Sequence, residues 1–172
     1  RGYGINRDSA GPGRWRGGAG VYREVEVLTE RAMLGVRMDN VDNPPWGVAG
    51  GLCGRSGRIV LNPGTEGERK LRSMEDGIIV QRGDIIRFEC VGGGGYGHPF
   101  DREAERVIND VLDGFISPES ALSDYGVVLS PDGESVDLTA TSDYRSKHRW
   151  PTRLFHRGTY LDATEWFASH AA

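Results

Sequence analysis

Lysine and cysteine are almost missing from this chain, and nowhere is it apolar for long. Only Cys53 and Cys90 occur among 172 residues. They are too few for a metal knuckle and do not form C-x-x-C, so zinc-finger and disulfide-scaffold readings are excluded. A reduced, cytoplasmic setting is the expectation. Of 21 basic residues only Lys70 and Lys147 are lysine; the rest are arginines, whose planar fork suits fixed ion pairs, interfaces and phosphate contacts. No basic stripe interleaves with aromatics, so a nucleic-acid partner is not expected. No apolar run nears the ~18 residues of a membrane span and no signal peptide is visible, so no membrane role is expected. Hydrophobic content of 37% and a mean hydropathy of −0.48 are low for a self-sufficient globule. Part of the apolar surface is therefore expected to meet a partner. The chain starts at Arg1 rather than Met, which reads as a processed chain or the C-terminal part of something longer.

Glycine is what the chain has in excess: 26 residues of 172, about twice the usual ~7%. The glycines cluster at 11–20, 47–57 and 92–97, where backbone must bend or approach another group closely. Gly92, Gly94 and Gly97 satisfy G-x-G-x-x-G, but a dinucleotide site needs a helix opening at the third glycine. Here Pro99 follows Gly97 almost at once, Asp113 falls inside the next helix rather than after a second strand, and no Walker pattern occurs. No bound nucleotide or other cofactor is expected on this chain.

The period of the pattern changes once. Val21–Val27 and Ala32–Met38 alternate, and the turn at 29–31 predicts that they pair as an antiparallel hairpin. Arg58–Leu61, Ile78–Val80 and Ile85–Val91 read as further strands. They are punctuated by Asn62-Pro63-Gly64, Asp76-Gly77 and Gln81-Arg82-Gly83-Asp84, the last a hairpin-like turn. Val107, Ile108, Val111, Leu112 and Phe115 then fall at helical spacing, with Asp101 the expected N-cap. Ser117-Pro118 starts a second short helix. Residues 130–145 read as loop and a weakly helical turn. The tail from Ser146 is basic and aromatic, with Trp150, Phe155, Tyr160 and Trp166. The fold expectation is mainly β (α+β), with antiparallel strands, glycine-rich loops and a C-terminal helical pair at about 102–124. Residues 1–130 form one domain, β-rich to about 91, and 131–172 an interface-forming extension.

Four ordered motifs carry a resemblance. Asp8-Ser-Ala-Gly-Pro-Gly-Arg-Trp-Arg-Gly-Gly-Ala-Gly20, Pro45-Trp-Gly-Val-Ala-Gly-Gly51, Leu61-Asn-Pro-Gly64 with Gly83-Asp84, and Gly92-Gly-Gly-Gly-Tyr-Gly-His-Pro99 with Ser117-Pro-Glu119 and Asp124-Tyr-Gly-Val-Val128 resemble the C-terminal end of hydantoinase B-type subunits. That superfamily includes hydantoinases, 5-oxoprolinases and acetone and acetophenone carboxylases. The resemblance implies an ATP-dependent cyclic-amide hydrolase of several subunits, or alternatively a ketone carboxylase, or a non-catalytic assembly subunit of either. It implies an A-type ATP-binding partner holding ATP and Mg, and a remainder of the B-type component carrying any divalent metal, with none held by this chain. The family has Asp after Gly-Tyr-Gly, where this chain has His98.

Three side chains are the catalytic candidates. Arg14 and Arg16 flank Trp15 in a glycine loop, where guanidinium and backbone N–H groups suit a developing negative charge; pairing with acids is the other reading. His98 has the pKa for proton transfer near neutrality, against a role as a loop-capping hydrogen-bond partner. His148, His156 and His170 read as solvated or interfacial, Cys53 as a structural thiol in an exposed loop, and Cys90 as core.

Overall fold

The computed structural model describes residues 1–158. Its strands are β1 (Gly2–Ile5), β2 (Val21–Glu26), β3 (Arg31–Arg37), β4 (Gly47–Val48), β5 (Arg58–Leu61), β6 (Arg69–Leu71), β7 (Met74–Gln81), β8 (Ile85–Glu89) and β9 (Phe155–His156). A 3-10 turn at Pro99–Asp101 precedes α1 (Ala104–Leu112), α2 (Pro118–Ser123) and α3 (Leu138–His148). The α+β expectation holds, with antiparallel strands dominant.

β1, β2, β8, β5 and β6 make one antiparallel sheet in that order, and β3 pairs with β7 in a separate ribbon. The hairpin expected between β2 and β3 does not form. The two edges of β2 belong to β1 and β8, and Val27 continues that ladder by exchanging hydrogen bonds with Gly83 and Asp84 at 2.9 Å. Nor does the 81–84 turn close a hairpin. Instead β2–β3 and β7–β8 run as one long antiparallel ladder that bends between sheet and ribbon. At the corner Gln81 N donates to Asp84 Oδ2 (2.7 Å), and Arg82 pairs with Glu30. Asp76-Gly77, expected as a turn, lies within β7 and faces the register shift between Leu34 and Val36. Alternation reports which side of a strand is buried but not which strand lies beside it.

The ribbon folds onto the sheet. Val36, Ile78 and Val80 from the ribbon interdigitate with Ile59, Leu61, Leu71 and Ile86 from the sheet, all buried. Asn62 (φ 52°) locks the end of β5 to the bend: its Nδ2 donates to Asp84 Oδ1 and its Oδ1 accepts from Ile85 N, both at 2.8 Å. That contact explains why Leu61-Asn-Pro-Gly64 and Gly83-Asp84 occur together.

A second core joins the helices. Ala104, Val107, Ile116, Ala121, Tyr125 and Val127 pack together. Leu112, expected in this stripe, is exposed instead. Ser117 caps α2 as expected, accepting from Ser120 N at 3.1 Å. Asp101 does not cap α1. Glu103 takes that position without a side-chain bond, because Asp101 closes the 3-10 turn ahead of the helix, where Arg149 engages it. α3 lacks an apolar face, and only its Thr141 is buried. Polar ties hold it: Thr141 Oγ1 accepts from Val128 N, and Arg145 donates to the carbonyls of Tyr125 and Arg102.

Candidate functional site

The three glycine clusters come together. Gly11 N donates to Gly93 O (2.7 Å), Gly93 N to Gly18 O (2.9 Å), and Trp15 and Tyr96 exchange backbone bonds at 2.9 Å. From the other side Val48 N donates to Gly95 O, Leu52 N to Pro12 O, and Gly95 N to Leu52 O. The loops thus stack backbone on backbone, with no side chains between them. Glycine is required here for space more than for left-handed torsion. A Cβ on Gly94 would overlap the carbonyl of Trp46, and one on Gly95 that of Pro12. Neither residue has positive φ. In the last glycine loop the N–H groups of Gly93, Gly95, Tyr96 and Gly97 are all spent on neighbouring carbonyls rather than left to cradle a phosphate.

The structure sends the three candidate side chains to different surroundings. Arg16 turns inward, giving Asp110 a two-pronged contact (Nε to Oδ2 3.0 Å, Nη2 to Oδ1 3.1 Å) and lying 4.6 Å from the Phe115 ring centroid. Arg102 reaches the same carboxylate at 2.8 Å and also donates to Arg14 O. Asp110 therefore sits, buried, between two guanidinium groups that clamp the first glycine loop to α1. Sequence reading missed both Asp110 and Arg102, since an acid on the buried side of a helix stripe was the one available signal.

Arg14 turns outward. It is exposed beside Trp15, whose ring also lies 5.5 Å from the Arg106 guanidinium. Arg14, Trp15, Asp101, Glu103 and Arg106 line a cleft of about 70 Å³. Trp15, Trp46 and Tyr96 each stand about half exposed on the loops of the stack.

His98 is buried, and its ring is fully committed. Nδ1 accepts from Phe100 N and Nε2 lies 3.1 Å from Trp150 O, between the Phe100 and Trp150 rings. Burial, with the Arg149 charge next in weight, pushes its pKa below the usual value. It caps the 3-10 turn.

The extension crosses the other flank of the stack. β9 pairs with β4, and Cys53 N donates to His156 Nδ1 at 3.1 Å. Arg157 covers the Trp46 ring at 3.8 Å. Cys53 is half-buried, and burial raises its thiol pKa, the opposite of activation. Cys90 is likewise half-buried, at the end of β8. His148 is exposed and stacks on Tyr144. Tyr160, Trp166 and His170 lie outside the described residues. Among the described residues no three His, Cys, Asp or Glu side chains cluster as metal ligands, and no helix is long and apolar enough to cross a membrane.

Comparison with known proteins identifies this architecture. The sequence profile of Hydantoinase B/oxoprolinase matches residues 1–99. The chain belongs to that family. The B component of a putative D-/L-hydantoinase from a Pseudomonas strain is 37% identical over 144 residues, covering 83% of this chain and 24% of that protein. The beta chain of the Pseudomonas jessenii caprolactamase is 31% identical, over 85% of this chain and 26% of its own length. The solved ATP-dependent caprolactamase from the same organism superposes with a TM-score of 0.71 at 29% identity, over 85% of this chain and 26% of that one. A nucleotide-free acetone carboxylase shares the fold with a TM-score of 0.68 at 19% identity, over 98% of this chain and 26% of that one. The hydantoinase B-type chain described here thus spans about a quarter of the relatives it matches.

Proposed function

We propose that this chain forms the glycine-stack module of the B-type component of an ATP-dependent cyclic-amide hydrolase of the hydantoinase and 5-oxoprolinase kind. One observation carries the reading: relatives named for hydantoin and caprolactam opening are 37% and 31% identical over most of this chain, against 26% for the delta component of an acetophenone carboxylase. The partners are an A-type ATP-binding subunit, which holds ATP and Mg, and the remainder of the B-type component, which supplies any divalent metal. The substrate is a small cyclic amide, and the complex works in the cytoplasm.

A cyclic amide resists opening because its carbonyl is a poor electrophile. An A-type subunit that phosphorylates the carbonyl oxygen activates its carbon and places negative charge nearby. Water adds at that carbon, the C–N bond breaks with a proton passing to the ring nitrogen, and the acyl phosphate left behind is hydrolysed to carboxylate and phosphate. In this reading Arg14 faces that charge, since its guanidinium is exposed at the rim of the stack. Arg16 positions the loop through Asp110. His98 supports the last glycine loop through Phe100 N. Catalysis by this chain alone is not expected.

A second reading is a subunit of a ketone carboxylase, favoured by the acetophenone carboxylase match over 88% of the chain. A third is a purely structural subunit of such a complex. Turnover of ATP by the reconstituted complex separates them. Stimulation by hydantoins or lactams without bicarbonate supports the hydrolase, and strict bicarbonate dependence with a ketone overturns it. If changing Arg14 and Arg16 to Ala costs assembly without a specific loss of chemistry, the module is structural.

A further inference from the structure

Residues 149–158 cross the glycine stack as a strap, and one histidine holds its first turn. Arg149 grips Asp101 through two bonds of 2.7 and 3.0 Å. Trp150 places its carbonyl 3.1 Å from His98 Nε2 and its ring 4.6 Å from the imidazole centroid. The strap then delivers two carbonyls to the stack, Arg153 O to Gly50 N (2.7 Å) and Leu154 O to Ala49 N (2.8 Å). Ala49 and Gly50 both have positive φ (52° and 95°), a torsion that costs a non-glycine residue about 1–2 kcal/mol and here aims successive N–H groups at the strap. Beyond them β9 pairs with β4, and Arg157 closes over Trp46.

The bonding of His98 admits a single protonation state. Nδ1 accepts an N–H from Phe100, so the ring proton sits on Nε2, where it donates to Trp150 O. A second proton on Nδ1 would set N–H against N–H and bring a cation into a site facing Arg149 and Arg145. The carboxylate in reach, Asp101, is already paired with Arg149. We infer that His98 is a proton-operated latch: neutral, it fastens the strap over the glycine stack, and protonated, it releases the strap and bares the Ala49–Gly50 edge and Trp46. The latch is independent of the reaction that the complex performs.

The sign follows from burial. The His98 pKa is lowered from about 6.5, so the strapped form binds fewer protons than the open form in the window below that value. Strap stability is complete above pH 6.5 or so, declines as pH falls through the ordinary histidine range, and levels off at the strapped-state pKa.

Amide exchange of Ala49 and Gly50 in the full chain, read by NMR between pH 7.5 and 5 and corrected for intrinsic rates, tests this. Protection at both amides should fall about tenfold for each unit by which the strapped ring's pKa is depressed, while Ile59 in the sheet core keeps its protection. His98→Asn keeps an acceptor for Phe100 N without a titrating ring, and should flatten the profile. Unchanged protection at Ala49 and Gly50 while the His98 ring signals titrate would overturn the latch. So would a parallel loss at Ile59, which reports acid unfolding of the whole chain. Should His98→Asn not fold, the comparison of Ala49 and Gly50 with Ile59 is made in His156→Asn, which removes the strap's other imidazole acceptor. A pH profile like that of wild type supports the His98 latch, and a flattened one overturns it.

Discussion

The sheet-and-ribbon core and the glycine stack solve the same packing problem by opposite means. In the first, Ile59, Leu71 and Ile86 fill the space between two layers with branched side chains. In the second, Gly94 and Gly95 bring backbones so close that side chains are excluded, and hydrogen bonds replace apolar contact. The core gains from every methyl group it buries, at about 0.8 kcal/mol per methylene. The stack gains only while methyl groups are kept out. A chain with 37% hydrophobic residues can therefore be tightly packed over a large part of its length.

Moving single methyl groups tests this contrast. Gly94→Ala should cost about 4 kcal/mol or prevent folding, because the added Cβ meets fixed backbone rather than a side chain that can turn away. Denaturant unfolding within ~1 kcal/mol of wild type would show that the stack is loose. Asp110→Ala should cost about 3 kcal/mol, since it leaves Arg16 and Arg102 without their shared counter-ion. Arg16→Ala tested in the Asp110→Ala background should then show strong non-additivity in a double-mutant cycle. In the core, Ile59→Val removes one methyl and should cost only ~1.2 kcal/mol in the same assay. Ser117→Ala is the mildest, ~0.8 kcal/mol, because it removes a single cap from a short helix.

Much of this is legible in local patterning. The strands at 21–26, 58–61 and 85–89, the Ser117 cap and the 3.6-residue stripe of α1 follow from it. So does the gathering of special backbone at the three glycine clusters. The β2–β3 connection was not legible in its true form. Two alternating strands separated by a short turn look alike whether they pair with each other or each continues into a separate layer. α3 was half-visible, because its positions are held by hydrogen bonds from Thr141 and Arg145 rather than by an apolar stripe. Asp101 reads as a cap, but it ends a 3-10 turn that precedes α1, and its carboxylate pairs with Arg149, 48 residues on.

The candidate site divides the same way. Arg14 and Arg16 stand two residues apart in one glycine loop, and nothing local separates them. One is exposed beside Trp15, and the other is clamped to Asp110, 94 residues away. The cap made by His98 to Phe100 is a local bond, two residues long, and its chemistry could be anticipated. Its second bond, to Trp150, joins groups 52 residues apart. By itself the sequence determined the types of most elements, the Ser117 cap and the family motifs, since these depend on neighbours within a turn or two. Which strand pairs with which, which carbonyls the glycines receive and which arginine stays exposed were decided only in the tertiary structure, because hydrogen bonds and excluded volume act between atoms that the chain order leaves far apart.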